Sequence, residues 1–466
     1  MSTGAWRRGA GRCAGLALLV TVAACGGSGS SQHTFNLPAG TELDTTASDR
    51  VLLAVESKNQ CGDSRSCVAT PQPGATPGPS GGCDVGNGNA RGLALYRLGT
   101  NGLFLEDAAH PGTAAPPEQI IGTADNPRRV LVSPTDPTLV YVATNERLQV
   151  FRLAPNGGSR CIAQTTSEKE IDHSAKDLDP VDFALDPTVG NGVLYVAGRG
   201  SNRVDAYPIA DDGTIGAQPA SCIIGSSDSE YTALSLLTRD FLAASGRTQI
   251  QVFRRVDGLF PPPTPAPSAS PTPTANRTPS CFSGQLVTLP VSFLGAAIVT
   301  DTFFSPSAAQ PIGELFISEE VSRRLFTFNI DPAGVINSKE TSSTKKDGFY
   351  QSIRRRDVGS DSLIYASVFQ EGRIAVFRLE NGLLPEFAFS KTAKDPKTTP
   401  VGLAFDGPAG TILYAAESGI GRLDGFRVQA DGGLPDVPDT STEPVTTTDG
   451  RVIDSFPSDI AIIPAP

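Results

Sequence analysis

The sequence predicts an all-β protein, a seven-bladed β-propeller built of four-stranded antiparallel blades. A pair of apolar strands recurs seven times with a period of roughly 45–55 residues, which is typical of a repeat architecture with short strands. In six of the seven repeats an Asn-Gly or Asp-Gly turn follows the second strand. The composition, with 48 Gly and 38 Pro but one Met and one Trp, suits short strands joined by turns.

Each predicted blade has four strands, a to d, of which b and c are the easiest to locate. The b strands centre on Leu52, Tyr141, Tyr195, Phe241, Phe316, Tyr365 and Tyr414. The c strands carry Tyr96, Phe151, Tyr207, Phe253, Phe328, Phe377 and Phe426. Because the four tyrosines of the b strands share one repeat position, we expect them to pack between blades rather than to stack on a ligand.

Tight hairpins join strands c and d. Their dipeptides are Asn101-Gly102, Asn156-Gly157, Asp212-Gly213, Asp257-Gly258, Asn381-Gly382 and Asp431-Gly432. These residue types supply the positive φ angles that such turns require. The fifth blade differs, because it has Asp331-Pro332-Ala333-Gly334 at this place.

The innermost strand of several blades begins with a Pro-x-x-apolar pattern, at Pro127, Pro180, Pro400 and Pro457. No blade follows the last copy, and the first blade begins directly at its strand b, residues 51–55. We therefore expect residues 460–463 to supply the missing inner strand of blade one. Such pairing closes the ring and removes an open sheet edge that would favour aggregation.

Residues 1–24 predict a bacterial lipoprotein signal peptide. Arg7, Arg8 and Arg12 precede an apolar run from residue 14 to residue 24 that is too short to span a bilayer. The segment Val22-Ala23-Ala24-Cys25 resembles a lipobox, which implies lipidation of Cys25 and a membrane partner. Ordinary cleavage at an A-x-A-like site is the alternative. Residues 25–45 then form the lipidated cysteine and a flexible tether, and residues 46–466 form the propeller.

Two insertions lengthen the predicted propeller, residues 57–90 in blade one and residues 259–280 in blade four. The second is a Pro/Ser/Thr tract that we expect to be an extended, solvated loop, with a recognition segment as the alternative. Removal of the leader takes away three arginines and no acids, which changes the net charge from −11 to −14. An acidic surface of this kind excludes nucleic acid as a partner.

Six cysteines remain in the mature chain: Cys61, Cys67, Cys83, Cys161, Cys222 and Cys281. An even number in an exported protein favours disulfides, and their spacing leaves fifteen pairings open. A bridge among the first three is the best local candidate, because they flank a Pro/Gly-rich insertion. A zinc site is the alternative, but paired C-x-x-C spacing is absent and the chain has three His, so we predict no metal or cofactor.

Two strings carry a family resemblance. They are Tyr141-Val142-Ala143-Thr144-Asn145 followed by Leu148-Gln149-Val150-Phe151, and Leu194-Tyr195-Val196-Ala197 followed by Val204-Asp205-Ala206-Tyr207. Both resemble the repeat of the YVTN and lactonase-like seven-bladed propellers, from about residue 51 to the C-terminus. The resemblance implies the propeller fold. That family includes phosphogluconolactonase-like enzymes, muconate cycloisomerase relatives and secreted members without assigned chemistry, and no catalytic string of the family matches here.

The candidate site residues lie where the inner strands begin and where the b strands end, because both meet at one mouth of a propeller channel. Candidate bases or cation ligands are Asp182, Asp459 and Glu417. Candidate ligand-binding residues are Arg128, Arg129, Arg199, Gln351, Asn145 and Glu320. The alternative is that these charges line a water-filled channel and neutralise one another. We expect Arg354-Arg355-Arg356 to be a solvated strand end.

These observations predict a lipid-anchored binding or scaffolding module of the bacterial cell envelope, which uses its channel mouth for a small polar ligand or an envelope protein. The alternative is a propeller-type lactonase, carboxylate-based or assisted by a divalent cation. Gly26 stands where inner-membrane lipoproteins carry aspartate, so the resemblance implies the outer membrane or the surface. A Ser-His-acid triad is not expected, because no G-x-S-x-G motif occurs and His33, His110 and His173 lie in linking segments.

Overall fold

A computed structural model of the chain divides it into two units, Met1–Asn36 and Leu37–Pro466. The structure describes residues of the second unit. They are 40–463 without 58–91, 124–126, 146, 157–158, 163–168, 173–179, 217, 225–229, 247–248, 262–281, 284–290, 293–298, 307–312, 320–323, 337–341, 344–348, 380–383, 385, 392–398, 407–409 and 443–455. Among these residues no helix is long and apolar enough to cross a membrane.

In the described part of the chain the strands form seven sheets, which we number in chain order. Sheet 1 contains β1 (Ala47–Ser57), β2 (Gly92–Gly99), β3 (Gln119–Gly122) and β30 (Phe456–Ile463). Sheet 2 contains β4 (Pro127–Val132), β5 (Leu139–Thr144), β6 (Arg147–Asn156), β7 (Ser159–Ile162) and β8 (Lys169–Asp172). Sheet 3 contains β9 (Pro180–Asp186), β10 (Val193–Gly198), β11 (Arg203–Pro208), β12 (Ser221–Ile224) and β16 (Phe282–Ser283).

Sheets 4 to 7 repeat the same four-stranded plan. Sheet 4 contains β13 (Ala233–Thr238), β14 (Phe241–Ser245), β15 (Gln249–Arg254) and β17 (Val291–Ser292). Sheet 5 contains β18 (Val299–Pro306), β19 (Gly313–Glu319), β20 (Arg324–Ile330) and β21 (Ser342–Ser343). Sheet 6 contains β22 (Tyr350–Val358), β23 (Asp361–Val368), β24 (Arg373–Arg378) and β25 (Glu386–Lys391), with a 3₁₀ turn at Phe369–Glu371. Sheet 7 contains β26 (Pro400–Phe405), β27 (Ile412–Glu417), β28 (Arg422–Arg427) and β29 (Thr440–Ser441).

The predicted b and c strands all coincide with strands of the structure, and the C-terminal strand joins sheet 1. In that sheet the order is β3-β2-β1-β30, and β30 pairs antiparallel with β1 so that Leu52 faces Ile462 and Ala54 faces Ile460. The C-terminal strand therefore occupies the edge of β1 that the sequence leaves without a local partner.

Apolar clusters fill the spaces between neighbouring sheets. One cluster joins sheets 1 and 2 through Val51, Leu53, Val140 and Ile463, all at most 2% exposed. Another joins sheet 7 to sheet 1, with Tyr414 of β27 buried beside β1 and β2. Because each sheet buries both faces against neighbours, the strands carry apolar residues on both sides.

The tyrosines of the b strands link neighbouring sheets, as the sequence predicts. Each hydroxyl donates a hydrogen bond to the carbonyl of the hairpin glycine in the next sheet. The pairs are Tyr141 with Gly213 at 3.2 Å, Tyr195 with Gly258 at 2.5 Å, Tyr365 with Gly432 at 2.7 Å, and Tyr414 with Gly102.

The hairpin glycines are required for both conformation and space. Gly432 has a φ of 86°, a conformation that L side chains rarely adopt. A Cβ built on Gly432 would lie 1.9 Å from Leu363 Cδ1, the first apolar position of β23 in the preceding sheet. The hairpin turns thus pack directly against the preceding sheet. Among the described Asn and Asp residues of these dipeptides, Asp257 alone has positive φ, at 49°.

The second insertion begins differently from the prediction. Phe260 lies within the predicted loop 259–280, yet it is 3% exposed and packs edge to face against Tyr195, with ring centroids 5.8 Å apart. An aromatic ring of this size gains more from the core between sheets 3 and 4 than from solvent. After the insertion β16 pairs in parallel with β12 of sheet 3, through Ile223 and Phe282, and β17 provides the outer strand of sheet 4.

The predicted tether also ends earlier than residue 45. Asp44 is 6% exposed, and its main chain exchanges hydrogen bonds with the hairpin of sheet 1 at Phe104 and Glu106. Its carboxylate accepts hydrogen bonds from the amides of Thr46 and Asn101 at 2.9 Å each. The predicted signal peptide, Cys25 and the cysteines at 61, 67, 83 and 281 lie outside the described residues.

Candidate functional site

Three inner strands bring charged side chains together at one place. Arg129 of β4, Asp182 of β9 and Asp459 of β30 each stand two residues after the proline of the Pro-x-x-apolar pattern. In each case the pairing register shifts between the proline and this residue. Such an irregularity redirects a side chain at the strand start. The repeat thus places one charged side chain from each of these three strands at the equivalent position.

Arg129 lies between the two carboxylates. Its Nε is 3.4 Å from Asp182 Oδ1, and its Nη1 is 3.8 Å from Asp459 Oδ1. The second oxygen of each carboxylate accepts a main-chain hydrogen bond from the next sheet: Asp182 Oδ2 from the Leu234 amide at 2.8 Å, and Asp459 Oδ2 from the Val130 amide at 3.1 Å. Each carboxylate is therefore oriented through one oxygen and faces Arg129 with the other.

These three side chains border a cavity of ≈ 170 Å³. Its lining residues come from sheets 1, 2, 3, 4 and 6: Arg129, Val130, Leu131, Asp182, Phe183, Leu234, Arg354 and Asp459. Two guanidinium groups and two carboxylates thus border one cavity, together with the apolar residues Val130, Leu131, Phe183 and Leu234. Convergent polar groups of this kind can orient a small polar ligand.

Arg354 corrects one of our predictions, because it lines the cavity rather than forming a solvated strand end. It lies in β22, where its Nη1 donates a hydrogen bond to the Ile353 carbonyl at 2.7 Å. Register pairing places Leu131 of sheet 2, Ala404 of sheet 7 and Ala461 of sheet 1 at the equivalent position. An arginine at a repeat position that is otherwise apolar or small is a signal that alignment of the repeats would have found.

The other predicted ligand-binding residues do not line this cavity. Arg128 and Gln351 lie on inner strands, at positions where the pairing register is irregular, and neither lines the cavity. Asn145 and Arg199 lie in turns after strands β5 and β10, and Arg199 is exposed. Glu320 lies outside the described residues.

Glu417, the third predicted catalytic carboxylate, does not line the cavity either. It ends strand β27 and is fully buried within sheet 7, because its strand is covered on both faces. Glu56 holds the equivalent position in sheet 1, where it accepts a hydrogen bond from the Tyr96 hydroxyl at 3.2 Å. Burial, with the nearby carboxylate, raises the pKa of Tyr96 well above its usual value.

A buried ion pair between sheets 3 and 4 escaped sequence reasoning. The Arg255 side chain is 1% exposed, and its Nη1 lies 2.6 Å from Asp186 Oδ2 and 2.7 Å from the Tyr195 hydroxyl. Burial raises the pKa of Asp186, but hydrogen bonds from Thr188 and Arg255 outweigh it, so the pKa is lowered. Burial raises the pKa of Tyr195 to about 12, with Arg255 opposing the shift. This network stabilises the interface and lies away from the cavity.

Two further Arg-Asp pairs lie within strands β11 and β28. Arg203 and Arg422 each pair with the aspartate two residues later, Asp205 at 2.8 Å and Asp424 at 2.7 Å. Burial raises the pKa of both aspartates despite these arginines. The Arg-x-Asp spacing could have been noted in the sequence, but it serves packing within the sheets.

Among the described residues no group of three or more His, Cys, Asp or Glu side chains is placed to hold a metal ion. In the cavity, main-chain amides and Arg129 contact both carboxylates. The arrangement can therefore bind a small polar ligand, accept a proton at a carboxylate oxygen and stabilise developing negative charge at a guanidinium.

Comparison with known proteins identifies the fold. No family model matches the chain, and no curated protein matches it. Among solved structures, the periplasmic gluconolactonase of Pseudomonas aeruginosa has a TM-score of 0.53 at 15% identity, covering 90% of this chain and 100% of that one. A candidate 6-phosphogluconolactonase from Bacteroides fragilis has a TM-score of 0.52 at 15% identity, covering 89% and 98%.

A candidate 6-phosphogluconolactonase from Bacteroides uniformis gives a TM-score of 0.53 at 16% identity, covering 89% of this chain and 100% of that one. Identities this low bear on the fold alone. The likeness nonetheless extends over nearly the whole length of each of these proteins. The chain has the all-β fold of the lactonase-like β-propellers.

Proposed function

We propose that this chain is a hydrolase that opens sugar lactones in the cavity bordered by Arg129, Asp182, Asp459 and Arg354. The observation that carries the proposal is the placement of two oriented carboxylates and two guanidinium groups over one small cavity. The fold likeness to proteins named as gluconolactonases supports the same hypothesis. Together the two observations favour the lactonase hypothesis over the scaffolding hypothesis.

The chemistry needs a base and an electrophilic stabiliser. Asp182 Oδ1 or Asp459 Oδ1 accepts a proton from water as the water oxygen attacks the lactone carbonyl. A guanidinium N–H of Arg129 or Arg354 stabilises the oxyanion that forms. The carbonyl then re-forms and the ring C–O bond breaks. The protonated aspartate gives its proton to the ring oxygen that leaves. Such a step requires no covalent enzyme intermediate.

The experiment is lactone hydrolysis by the purified mature protein, with glucono-δ-lactone and its 6-phosphate as probes and acid release as the readout. We expect turnover above the buffer rate and a loss of about 10²- to 10⁴-fold in Asp182→Asn and Asp459→Asn. Asp240→Asn, at an exposed turn position, is the matched control. Absence of turnover in the wild type, or full activity in both cavity variants, would contradict the proposal.

A binding or scaffolding module is the second candidate function. It is favoured by the position of Arg129, which lies within 4 Å of both carboxylates and compensates their charge. A neutralised cavity suits a small polar ligand or a protein partner. Co-purification of an envelope protein together with no lactone turnover would support this reading.

We further propose that the sheets are the seven blades of one ring, which the pairing of β30 with β1 closes. The hydrogen bond from Tyr414 to Gly102 and the apolar cluster around Tyr414 support this arrangement, because both link sheet 7 to sheet 1. A low-resolution scattering profile of the mature protein tests it. A compact disc is expected, and an extended or open profile would contradict the ring.

Lipidation of Cys25 and an outer-membrane or surface location remain proposals. Incorporation of labelled palmitate, lost in Cys25→Ser, tests the anchor, and fractionation of the envelope tests the location.

Disulfides remain a prediction as well, and Cys222 is buried in β12 at 1% exposed. Thiol labelling before and after reduction of the unfolded protein would count them. A requirement for a divalent cation would appear as loss of lactone turnover on chelation.

A further inference from the structure

Asp459 is held in place by residues of the two neighbouring sheets. Its sheet-1 strand β30 runs between β26 of sheet 7 and β4 of sheet 2. On the sheet-2 side, the Val130 amide binds Oδ2. On the sheet-7 side stands Gly402, at the repeat position that holds Asp182 in sheet 3 and Arg129 in sheet 2.

Gly402 makes the close approach of sheet 7 to Asp459 feasible. A Cβ built on it would lie 2.9 Å from Asp459 Cα, 3.3 Å from Asp459 Oδ1 and 3.4 Å from the Ile460 nitrogen. The first distance is shorter than real Cβ contacts, and the obstacle is main chain, which cannot rotate away. The second distance means that the methyl group of an alanine at position 402 would contact Asp459 Oδ1, the oxygen that faces Arg129. Glycine at this position therefore serves close approach to Asp459.

Ser458 acts from the opposite side. Its hydroxyl lies 3.2 Å from the Pro127 carbonyl and 3.5 Å from the Arg128 carbonyl of β4, and 3.3 Å from the Val55 carbonyl of β1. One hydroxyl hydrogen can serve these acceptors in turn. Ser458 immediately precedes Asp459, and Arg128 immediately precedes Arg129. The contact between the Ser458 hydroxyl and the Arg128 carbonyl therefore links Asp459 of sheet 1 to Arg129 of sheet 2.

We propose that Gly402 and Ser458 are positioning residues that set the Asp459 carboxylate against Arg129 and the cavity. The inference rests on the proposed lactonase function. A methyl at position 402 displaces Asp459, and a displacement of about 1 Å lowers turnover by up to about 100-fold. Loss of the Ser458 hydroxyl loosens the same carboxylate, and threonine at that position keeps the hydroxyl.

The test compares Gly402→Ala with Gly425→Ala, which is another crowded glycine position of the same sheet. A Cβ at Gly425 would lie 2.6 Å from Thr440 Cγ2, within strands β28 and β29 and away from Asp459. We expect both variants to lose thermal stability, while Gly402→Ala alone lowers kcat by about 10- to 100-fold and shifts the acid limb of the pH–rate profile. Ser458→Ala should lower kcat in the same direction, and Ser458→Thr should restore it.

A crystal structure of Gly402→Ala provides a readout without turnover. We expect Asp459 Oδ1 to move away from Arg129. Unchanged Asp459 geometry, or equal kcat in Gly402→Ala and Gly425→Ala, overturns the positioning role even when Asp459→Asn is inactive. Loss of the proposed function itself would show differently, as absence of glucono-δ-lactone turnover in the wild-type protein.

Discussion

Removal of side-chain volume from the C-terminal strand tests whether that strand is part of the core. Ile463 is 0% exposed and packs in one cluster with Val51, Leu53 and Val140 of sheets 1 and 2. Ile463→Ala deletes three carbon groups, worth about 0.8 kcal/mol each in transfer free energy. Because the site is enclosed on all sides, a cavity term adds to this loss. We expect unfolding free energy to fall by about 3–4 kcal/mol.

The measurement is urea unfolding of the full mature chain, in which a lower midpoint at constant slope reports lost stability. Ile224→Ala is the matched control, because Ile224 is 44% exposed at the end of β12, and we expect about 1 kcal/mol or less from it. Asp459 lies on the same strand as Ile463, so fraying of this strand should also reduce lactone turnover. Equal effects of the two substitutions would mean that the terminal strand is not packed, and would refute the reasoning on ring closure.

Three further predictions concern the interfaces between sheets. Asp186→Asn should cost about 3–5 kcal/mol at pH 7, because it leaves Arg255 buried without its carboxylate. The pKa of Asp186 is lowered in the folded state, so its contribution is complete above the unfolded pKa of about 3.9 and disappears as pH falls through the folded pKa. The wild-type advantage in urea should therefore shrink at low pH, and a pH-independent difference would contradict the pairing. Tyr414→Phe leaves the buried Gly102 carbonyl without its donor and should cost about 1–3 kcal/mol in thermal unfolding, and an unchanged melting temperature would argue against this link. Since burial raises the pKa of Tyr195 to about 12, the ultraviolet titration difference between wild type and Tyr195→Phe should centre there, and a centre near pH 10 would be inconsistent with the buried network.

Strand pairs and turns could be predicted because their signals are local. Short apolar strand segments and Asn-Gly or Asp-Gly turns are determined by neighbouring residues, and a repeat shows each signal several times. The pairing of β30 with β1 followed from counting, since one inner strand was missing at the start and one was surplus at the end. The two central candidates, Asp182 and Asp459, followed from the same repeat pattern.

The remaining candidates could not be sorted from sequence, because they depend on side-chain direction. Arg128 and Arg129 are neighbours in the chain, yet only Arg129 borders the cavity. A register shift at the strand start decides which residue that is, and sequence alone does not show the shift. Glu417 ends a strand as predicted, but the packing of sheet 7 buries it away from the cavity.

The amino-acid sequence by itself determined the all-β repeat and turns such as Asp212-Gly213 and Asp431-Gly432, because backbone preferences and apolar strand patterns act over a few residues. The tertiary structure alone decided that Arg354 joins Arg129, Asp182 and Asp459 around one cavity. These four residues come from sheets 6, 2, 3 and 1 and are separated by as many as 330 positions. Their proximity arises from how whole sheets pack against one another, and no local signal in the chain encodes that distance.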